Sequence, residues 1–274
     1  MDSLELGQAL SAAAVAQGAT ARVHLHVDSG LHREGIPPSA AIALARQLRD
    51  LPAIDVEGLS THMANADEPD DSFTGEQGAV FRDVARELDW VRYRHTANSA
   101  TALRRSEMRF DGVRVGLALL GVLPPNTPGP ALQPVVSVKA RIARVTDVAP
   151  GEGVSYGLTW RAGRPSRVAL VPLGYADGWP RHLGNAGVVL AGGRRCPMVG
   201  RVCMDQFLID ITDSPEVIEG TEAVLLGAQG SERIAADEIA AAAGTIAWDI
   251  LASLQARVPR IAHRGGVVER IIEG

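Results

Sequence analysis

An α/β half followed by a mostly β half is the architecture that the 274 residues predict. Two observations carry that expectation. Up to about residue 120, helix-period stretches alternate with short strand-like runs at the spacing of βα units. Beyond it, Pro124, Pro125, Pro128, Pro130 and Pro134 crowd into one linker-like stretch, and the runs that follow are short, β-type and bounded by turn residues. Strands alternating with helices imply a parallel sheet covered by helices, either doubly wound or a (β/α)8 barrel. A domain boundary is expected between residues 123 and 124.

The elements follow in order. Ser3 to Gln17 is Ala-rich and uninterrupted except by Gly7, which predicts a helix closed by Gly18. Arg22 to Asp28 alternates apolar and polar residues as a strand does and ends at the turn residues Ser29-Gly30. Pro37-Pro38 opens a helix running to about Asp50. Val56 to Met63 reads as a strand, Phe73 to Leu88 as a helix, and Arg92 to Thr96 as a short strand. Ser99 to Arg104 then suits a short helix, and Met108 to Val115 a further strand. In the second half the β-type runs are Val135 to Val145, Arg167 to Pro172, Gly187 to Ala191, Gln206 to Ile211 and Ala223 to Leu226. An acidic, alanine-rich helix from Ala235 to Ala243 interrupts them.

Composition bounds the function. With 46% hydrophobic and 22% charged residues the chain is of ordinary globular type, and it is long enough to bury its own core. A net charge of −5 gives no footprint of a nucleic-acid or anionic-membrane binder. Cys196 and Cys203 are too few for a disulfide framework, so a reducing, cytoplasmic setting is expected. The first residues lack a signal-peptide pattern, and no stretch approaches the roughly 18 apolar residues of a membrane span. Among 27 basic residues, Lys139 is the single lysine.

Chemistry in a parallel α/β barrel gathers at the C-terminal ends of the strands, and there this sequence places its unusual polar residues. Asp28 and Arg33 follow the first strand, and His62, Asn65 and Asp67 the second. His95 and Asn98-Ser99 follow the third, and Arg114 and Gly116 the fourth. Singly, each has a structural explanation: Asp28 and Asn98-Ser99 suit capping, and a strand-end histidine is often a satisfied structural side chain. Together, cations, two imidazoles and an Asn-Ser pair converge on one rim. Ser99 and the N–H groups around Gly116-Leu117 suit a phosphate.

The segment texts add a resemblance. Val27 to Arg33, Ser60 to Asp67, His95 to Ser99, Val113 to Gly116, Val154 to Gly157, Gly174 to Gly178 and Val199 to Gln206 all resemble alanine racemase, in that family's order, from about residue 20 to Arg260. The resemblance implies a pyridoxal 5′-phosphate (PLP) isomerase of fold type III, with a barrel domain, a β domain and a head-to-tail homodimer. It implies interconversion of L- and D-alanine for cell-wall precursor supply. Racemisation needs one proton-transfer group on each face of the reacting carbon. By resemblance these are the PLP lysine and Tyr156, the latter acting across the dimer interface. The other positions carry over singly. Arg114 looks like the arginine facing the pyridine nitrogen, and His62 the histidine beside the cofactor ring. His95 is similar to a histidine behind them, while Asn98, Ser99, Gly116 and Leu117 match the phosphate cradle. Arg33 resembles an arginine near the cofactor hydroxyl and substrate carboxylate. Met204 resembles the residue whose N–H meets that carboxylate, with Asp205 beside it, and Tyr175 a tyrosine that narrows the entrance.

Three departures accompany these matches, and one is Ala256, where the family usually has a tyrosine that helps hold the phosphate. The PLP lysine of the family lies upstream of the segment matching Val27 to Gly30. The first half of the family's barrel, with that lysine, is therefore expected to be absent, leaving a partial barrel. Lys139 falls in a β-domain strand, and arginine does not deprotonate to form an imine. His26 stands where many relatives have a lysine that orients Arg33. Alternative readings are an inactive truncated or split subunit that needs a lysine-bearing partner fragment, and a racemase of another small amino acid such as serine.

Overall fold

The computed structural model describes residues 1–273, which form two compact units, Met1–Gln133 and the chain from Pro134 onward. The boundary falls ten residues beyond the expected one. The start of the proline stretch folds with the first unit, where Asn126 donates from Nδ2 to the Asp67 carbonyl at 2.9 Å.

The first unit runs α1 (Leu4–Ala16), β1 (Ala21–His26), α2 (Pro38–Arg49), β2 (Ile54–Ser60), α3 (Ser72–Glu87), β3 (Tyr93–His95) and α4 (Ser99–Arg104). The strands form a three-stranded parallel sheet in the order β1-β2-β3, each joined to the next by a helix. Strand alternation sends Val23, Leu25 and Val27 to one face of β1 and Arg22, His24 and His26 to the other. The apolar face meets Ala41, Leu44, Ala45 and Leu48 of α2 and Phe81, Val84 and Ala85 of α3, both at helical spacing. Between Val23 and His24 the register slips: Val56 faces Val23 but Gly58 faces His24, which leaves Glu57 as a bulge in β2.

The strand expected over Met108–Val115 is not formed. Ser106–Met108 is a 3₁₀ turn, Phe110 has a left-handed φ of 49°, and only Val113 pairs, in an isolated parallel bridge with Ala97. The Asp111-Gly112 turn takes the hydrogen bonds that a ladder needs. Asp111 Oδ2 accepts from the Arg94 N–H, and the Asp111 N–H donates to the Arg94 carbonyl.

The second unit is mostly β. Its strands are β4 (Val138–Arg141), β5 (Arg144–Val148), β6 (Gly153–Val154), β7 (Trp160–Arg161), β8 (Ser166–Val171), β9 (Val188–Ala191), β10 (Arg194–Val199), β11 (Phe207–Asp210), β12 (Glu222–Gln229) and β13 (Glu232–Ile234). The helices α5 (Ala236–Ala243) and α6 (Ala247–Ser253) follow, then β14 (Arg260–Arg264) and β15 (Val267–Ile272). An antiparallel sheet runs β13-β12-β9-β10-β11-β8-β5, with β4 added on β12. The run expected as one strand from Val135 to Val145 is split, because Ile142 donates to Thr221 beside β12 while Ala143 donates to Leu170 in β8. Val189, Leu190, Phe207, Ile209, Val224 and Leu225 are buried in its core. Among the described residues, no helix is long and apolar enough to cross a membrane.

Candidate active site

In the first unit, the segments after β2 and β3 carry a guanidinium and two imidazoles in mutual contact. The Ala97–Val113 bridge fixes the backbone of Arg114, whose N–H donates to the Ala97 carbonyl at 2.8 Å. Its side chain donates from Nη1 to His95 Nδ1 at 2.6 Å and to the His95 carbonyl at 3.0 Å. From Nη2 it donates to the Thr61 carbonyl at 2.8 Å and to His62 Nδ1 at 3.3 Å. A guanidinium only donates, so both imidazoles offer a bare Nδ1 and carry their proton on Nε2. Burial, then the charge of Arg114, lowers the pKa of both histidines, that of His95 to about 4. The cluster therefore holds one cation between two neutral rings.

Beside it, Asn98 caps α4, its Oδ1 accepting from the Thr101 N–H at 2.9 Å. The Asn98 amide is thus spent on the helix start. Ser99 is buried, and its Oγ accepts from the N–H groups of Gly116 at 3.1 Å and Ala118 at 3.4 Å. Gly116 and Leu117 lead into a 3₁₀ turn, Leu117–Leu120. The Ser99 hydroxyl hydrogen points onward from the two N–H groups that it accepts from, and the guanidinium of Arg114 lies farther along. These groups fit an anionic phosphate that would take over the turn N–H groups from Ser99, with a lone-pair-bearing ring nitrogen at its far end.

Arg33 is not drawn into that cluster; its guanidinium pairs with the neighbouring Glu34 at 2.8 Å, and both are exposed. His26 bonds Ser60 Oγ at 2.9 Å instead of meeting Arg33. Its ring lies so close to Gly35 that a Cβ there would sit 2.7 Å from His26 Cδ2. Asp28 closes the following turn, accepting from the N–H groups of Gly30 and His32, and the His32 bond holds its carboxyl below the usual range.

Two contributors are missing from the sequence-derived set. Gln77, fully buried on α3, accepts from the Ala64 N–H at 2.8 Å and donates to the His62 carbonyl at 3.1 Å, so it clamps the loop bearing His62. Its signal was available, since Gln77 falls on the apolar stripe of α3 with Phe81 and Val84. The other is His24, on the polar face of β1 with Arg22 and His26, bonded to His95.

In the second unit, Tyr156, Tyr175, Met204 and Asp205 all lie on loops at strand ends. Tyr156 is 72% exposed and follows Ser155, whose φ of 61° and ψ of −179° belong to a region almost reserved for glycine. Ser155, Tyr156, Leu170, Cys203 and Gln206 help line an open concavity of about 380 Å³. The loops bearing Tyr175 and Met204 are stitched together: the Tyr175 N–H donates to the Cys203 carbonyl and that of Ala176 to the Met204 carbonyl. A Cβ on Gly174 would lie 2.3 Å from the Met204 oxygen, so only glycine fits there. Asp205 is held by Arg257, which bridges Asp205 and Asp177 at 2.6 Å each. Lys139 lies on β4, its Nζ 2.9 Å from Glu222 of β12.

Both units of the chain are similar to known proteins. Residues 1–124 match the family model described as alanine racemase, N-terminal domain, and residues 135–262 that described as alanine racemase, C-terminal domain. An alanine racemase of Symbiobacterium thermophilum is 43% identical over 93% of this chain and 70% of its own length. One of Halothermothrix orenii is 42% identical over 87% of this chain and 65% of its own. The crystal structure of an alanine racemase from Bacillus anthracis with bound L-Ala-P superposes at a TM-score of 0.89, with 36% identity. A Clostridium difficile alanine racemase in complex with cycloserine superposes at 0.88, with 30% identity. Each covers all of this chain, which covers 72% of each. The chain thus spans about two thirds of the length of the relatives it matches.

Proposed function

The chain belongs to the alanine racemase family, and from that premise we propose that it supplies the cofactor cradle and the substrate loops of a PLP-dependent racemase interconverting L- and D-alanine. The fold is that family's TIM-barrel-like domain followed by a β domain, and we take the three parallel strands for the C-terminal part of the barrel. The observation that carries the reading is the Arg114 cluster with the donors of Ser99, Gly116 and Ala118 beside it.

PLP, where bound, supplies an electron sink for the carbanion left when Cα loses its proton. Ser99, Gly116 and Leu117 would hold its phosphate, with Asn98 acting through α4, and Arg114 would face its pyridine nitrogen. Arg114 cannot give up its proton, so it would hydrogen-bond that nitrogen without protonating it and would moderate the pull of the ring. His62, kept neutral, would lie beside the ring without adding a second charge. His95 sets the direction of Arg114 from behind. Arg33 would be the first unit's group for the substrate carboxylate and the Met204 N–H the second unit's, with Asp205 anchoring the Met204 loop through Arg257. Tyr175 would confine the entrance to a small side chain. The Tyr156 hydroxyl would move the proton on one face of Cα, in a homodimer that places it against the partner's cradle. Lys139 does not serve the other face, being paired with Glu222 in the β unit. We take that amine to come from outside these 274 residues.

The test supplies the chain and PLP with the segment of the Symbiobacterium relative that lies ahead of its match. Racemisation of L-alanine is expected with that segment present and not in its absence, and Tyr156→Phe should abolish it. No racemisation by the combined protein would sink the reading. Covalent trapping of PLP on Lys139 would overturn the assignment of the amine.

A further inference from the structure

The hydrogen bond between Arg114 and His95 does not end the row. On the far side of the His95 ring, Nε2 lies 2.6 Å from His24 Nδ1, with ring centroids 4.9 Å apart. Beyond, His24 Nε2 lies 4.0 Å from Glu57 Oε2. Each proton along this row has one self-consistent place. Arg114 Nη1 only donates, so His95 Nδ1 must accept and His95 Nε2 must carry the hydrogen. That hydrogen is donated to His24 Nδ1, so the His24 hydrogen sits on Nε2, facing the Glu57 carboxylate. Reversing His95 sets donor against donor at Arg114, and reversing His24 sets donor against donor at His95.

The backbone is shaped to hold this row. The bulge in β2 turns Glu57 out of register and puts Gly58 opposite His24. The His24 ring lies directly over Gly58, where a Cβ would come within 2.4 Å of Nδ1 and 2.5 Å of Cγ. Glu57 is itself fixed between cations, 3.8 Å from Arg22 and 3.5 Å from Arg92. The neutral state that the row requires of His95 agrees with its lowered pKa.

We propose that His24 is a positioning residue: by accepting from His95 Nε2–H it holds His95 in the tautomer whose bare Nδ1 aims the Arg114 guanidinium, with the Glu57 carboxylate facing the far end and Gly58 providing the seat. The consequence for a pyridine nitrogen rests on the cradle reading above; the tautomer lock does not.

Nitrogen-15 histidine spectra of the full chain without PLP test the lock, with His95 assigned by comparison with His95→Asn. Wild type should show His95 protonated at Nε2 alone. His24→Asn, whose Oδ1 stands where Nδ1 stood and still accepts, should keep that signature. His24→Leu and Gly58→Ala should each raise the Nδ1-protonated fraction about tenfold, the effect of losing one hydrogen bond. An Nδ1-protonated His95 in the wild type would overturn the proposal, and so would an unchanged tautomer in folded His24→Leu and Gly58→Ala. If His24→Leu does not fold, wild type and His24→Asn still decide. PLP binding, followed separately by fluorescence, reports on the cradle. A chain that shows the lock but binds no PLP refutes the cradle reading and leaves the lock standing.

Discussion

At the scale of single residues, Arg114 shows how one side chain ties three segments together. Its guanidinium satisfies carbonyls of Thr61 and His95 while meeting both imidazoles. Removing it leaves partly buried acceptors without a donor, which costs about 1–3 kcal/mol. Arg114→Ala is therefore expected to lower the urea midpoint of the full chain as well as its affinity for PLP. Arg114→Lys should recover part of the stability but little of the affinity, because an ammonium lacks the planar fork that reaches several acceptors at once. The residues we propose for the chemistry are legible one by one, since His62, His95, Ser99, Arg114, Tyr156 and Met204 all stand in recognisable segments. Their partners are not. Nothing in the text from His24 to His95 announces a 2.6 Å contact, because it depends on a bulge opposite β1 that the apolar–polar alternation does not reveal.

At the scale of elements, α3 both covers the sheet and braces the site. Phe81, Val84 and Ala85 fill the core, while Gln77 on the same stripe points polar atoms at the His62 loop. Gln77→Leu keeps the volume and the stripe but leaves the Ala64 N–H without its acceptor. A destabilisation of about 1–3 kcal/mol is expected from that unpaired group, measurable by urea denaturation. Loss of protection at the 61–65 backbone in hydrogen exchange would locate the effect. Long elements are legible from periodicity: α1, α2, α3 and β1 lie within two residues of expectation and β2 within three. The strand expected at Met108–Val115 failed because its β-branched and aromatic residues flank a turn that spends the backbone hydrogen bonds locally. The strand β10 is not legible because Pro197 and the flanking arginines mask its alternation, and the helix α6 is too short for a period to show.

At the scale of the whole molecule, the neutral histidines make stability depend on pH. His26, His62 and His95 all have folded-state pKa values below 6.5, chiefly through burial, His95 at about 4. Between these values the unfolded chain binds more protons than the folded one, so stability is greatest above pH 6.5 and falls as pH drops toward 4. Asp28 and Asp71, lowered by hydrogen bonds from His32 and Arg105, add a further loss at more acid pH, as they are forced to protonate. The expected urea midpoint declines from pH 7 to pH 4.5, and His95→Asn should flatten that decline. An equal slope in both proteins would remove His95 as a source.

One loop residue sets a rule for what a mutational library would tolerate. Ser155 occupies a backbone conformation that glycine enters freely and other residues do not, yet its Oγ donates to the Arg201 carbonyl at 2.8 Å. Gly200 makes way for it, since a Cβ there would fall 2.7 Å from that of Ser155. Relief of backbone strain and loss of the side-chain bond thus pull in opposite directions at this position. Glycine should be recovered with near-wild-type abundance, alanine, which keeps the strain and loses the bond, should be depleted, and valine should vanish. Such a ranking, inverted from the usual preference for alanine over glycine, would be the fingerprint of a tyrosine-bearing loop whose shape is held by its neighbour's hydroxyl.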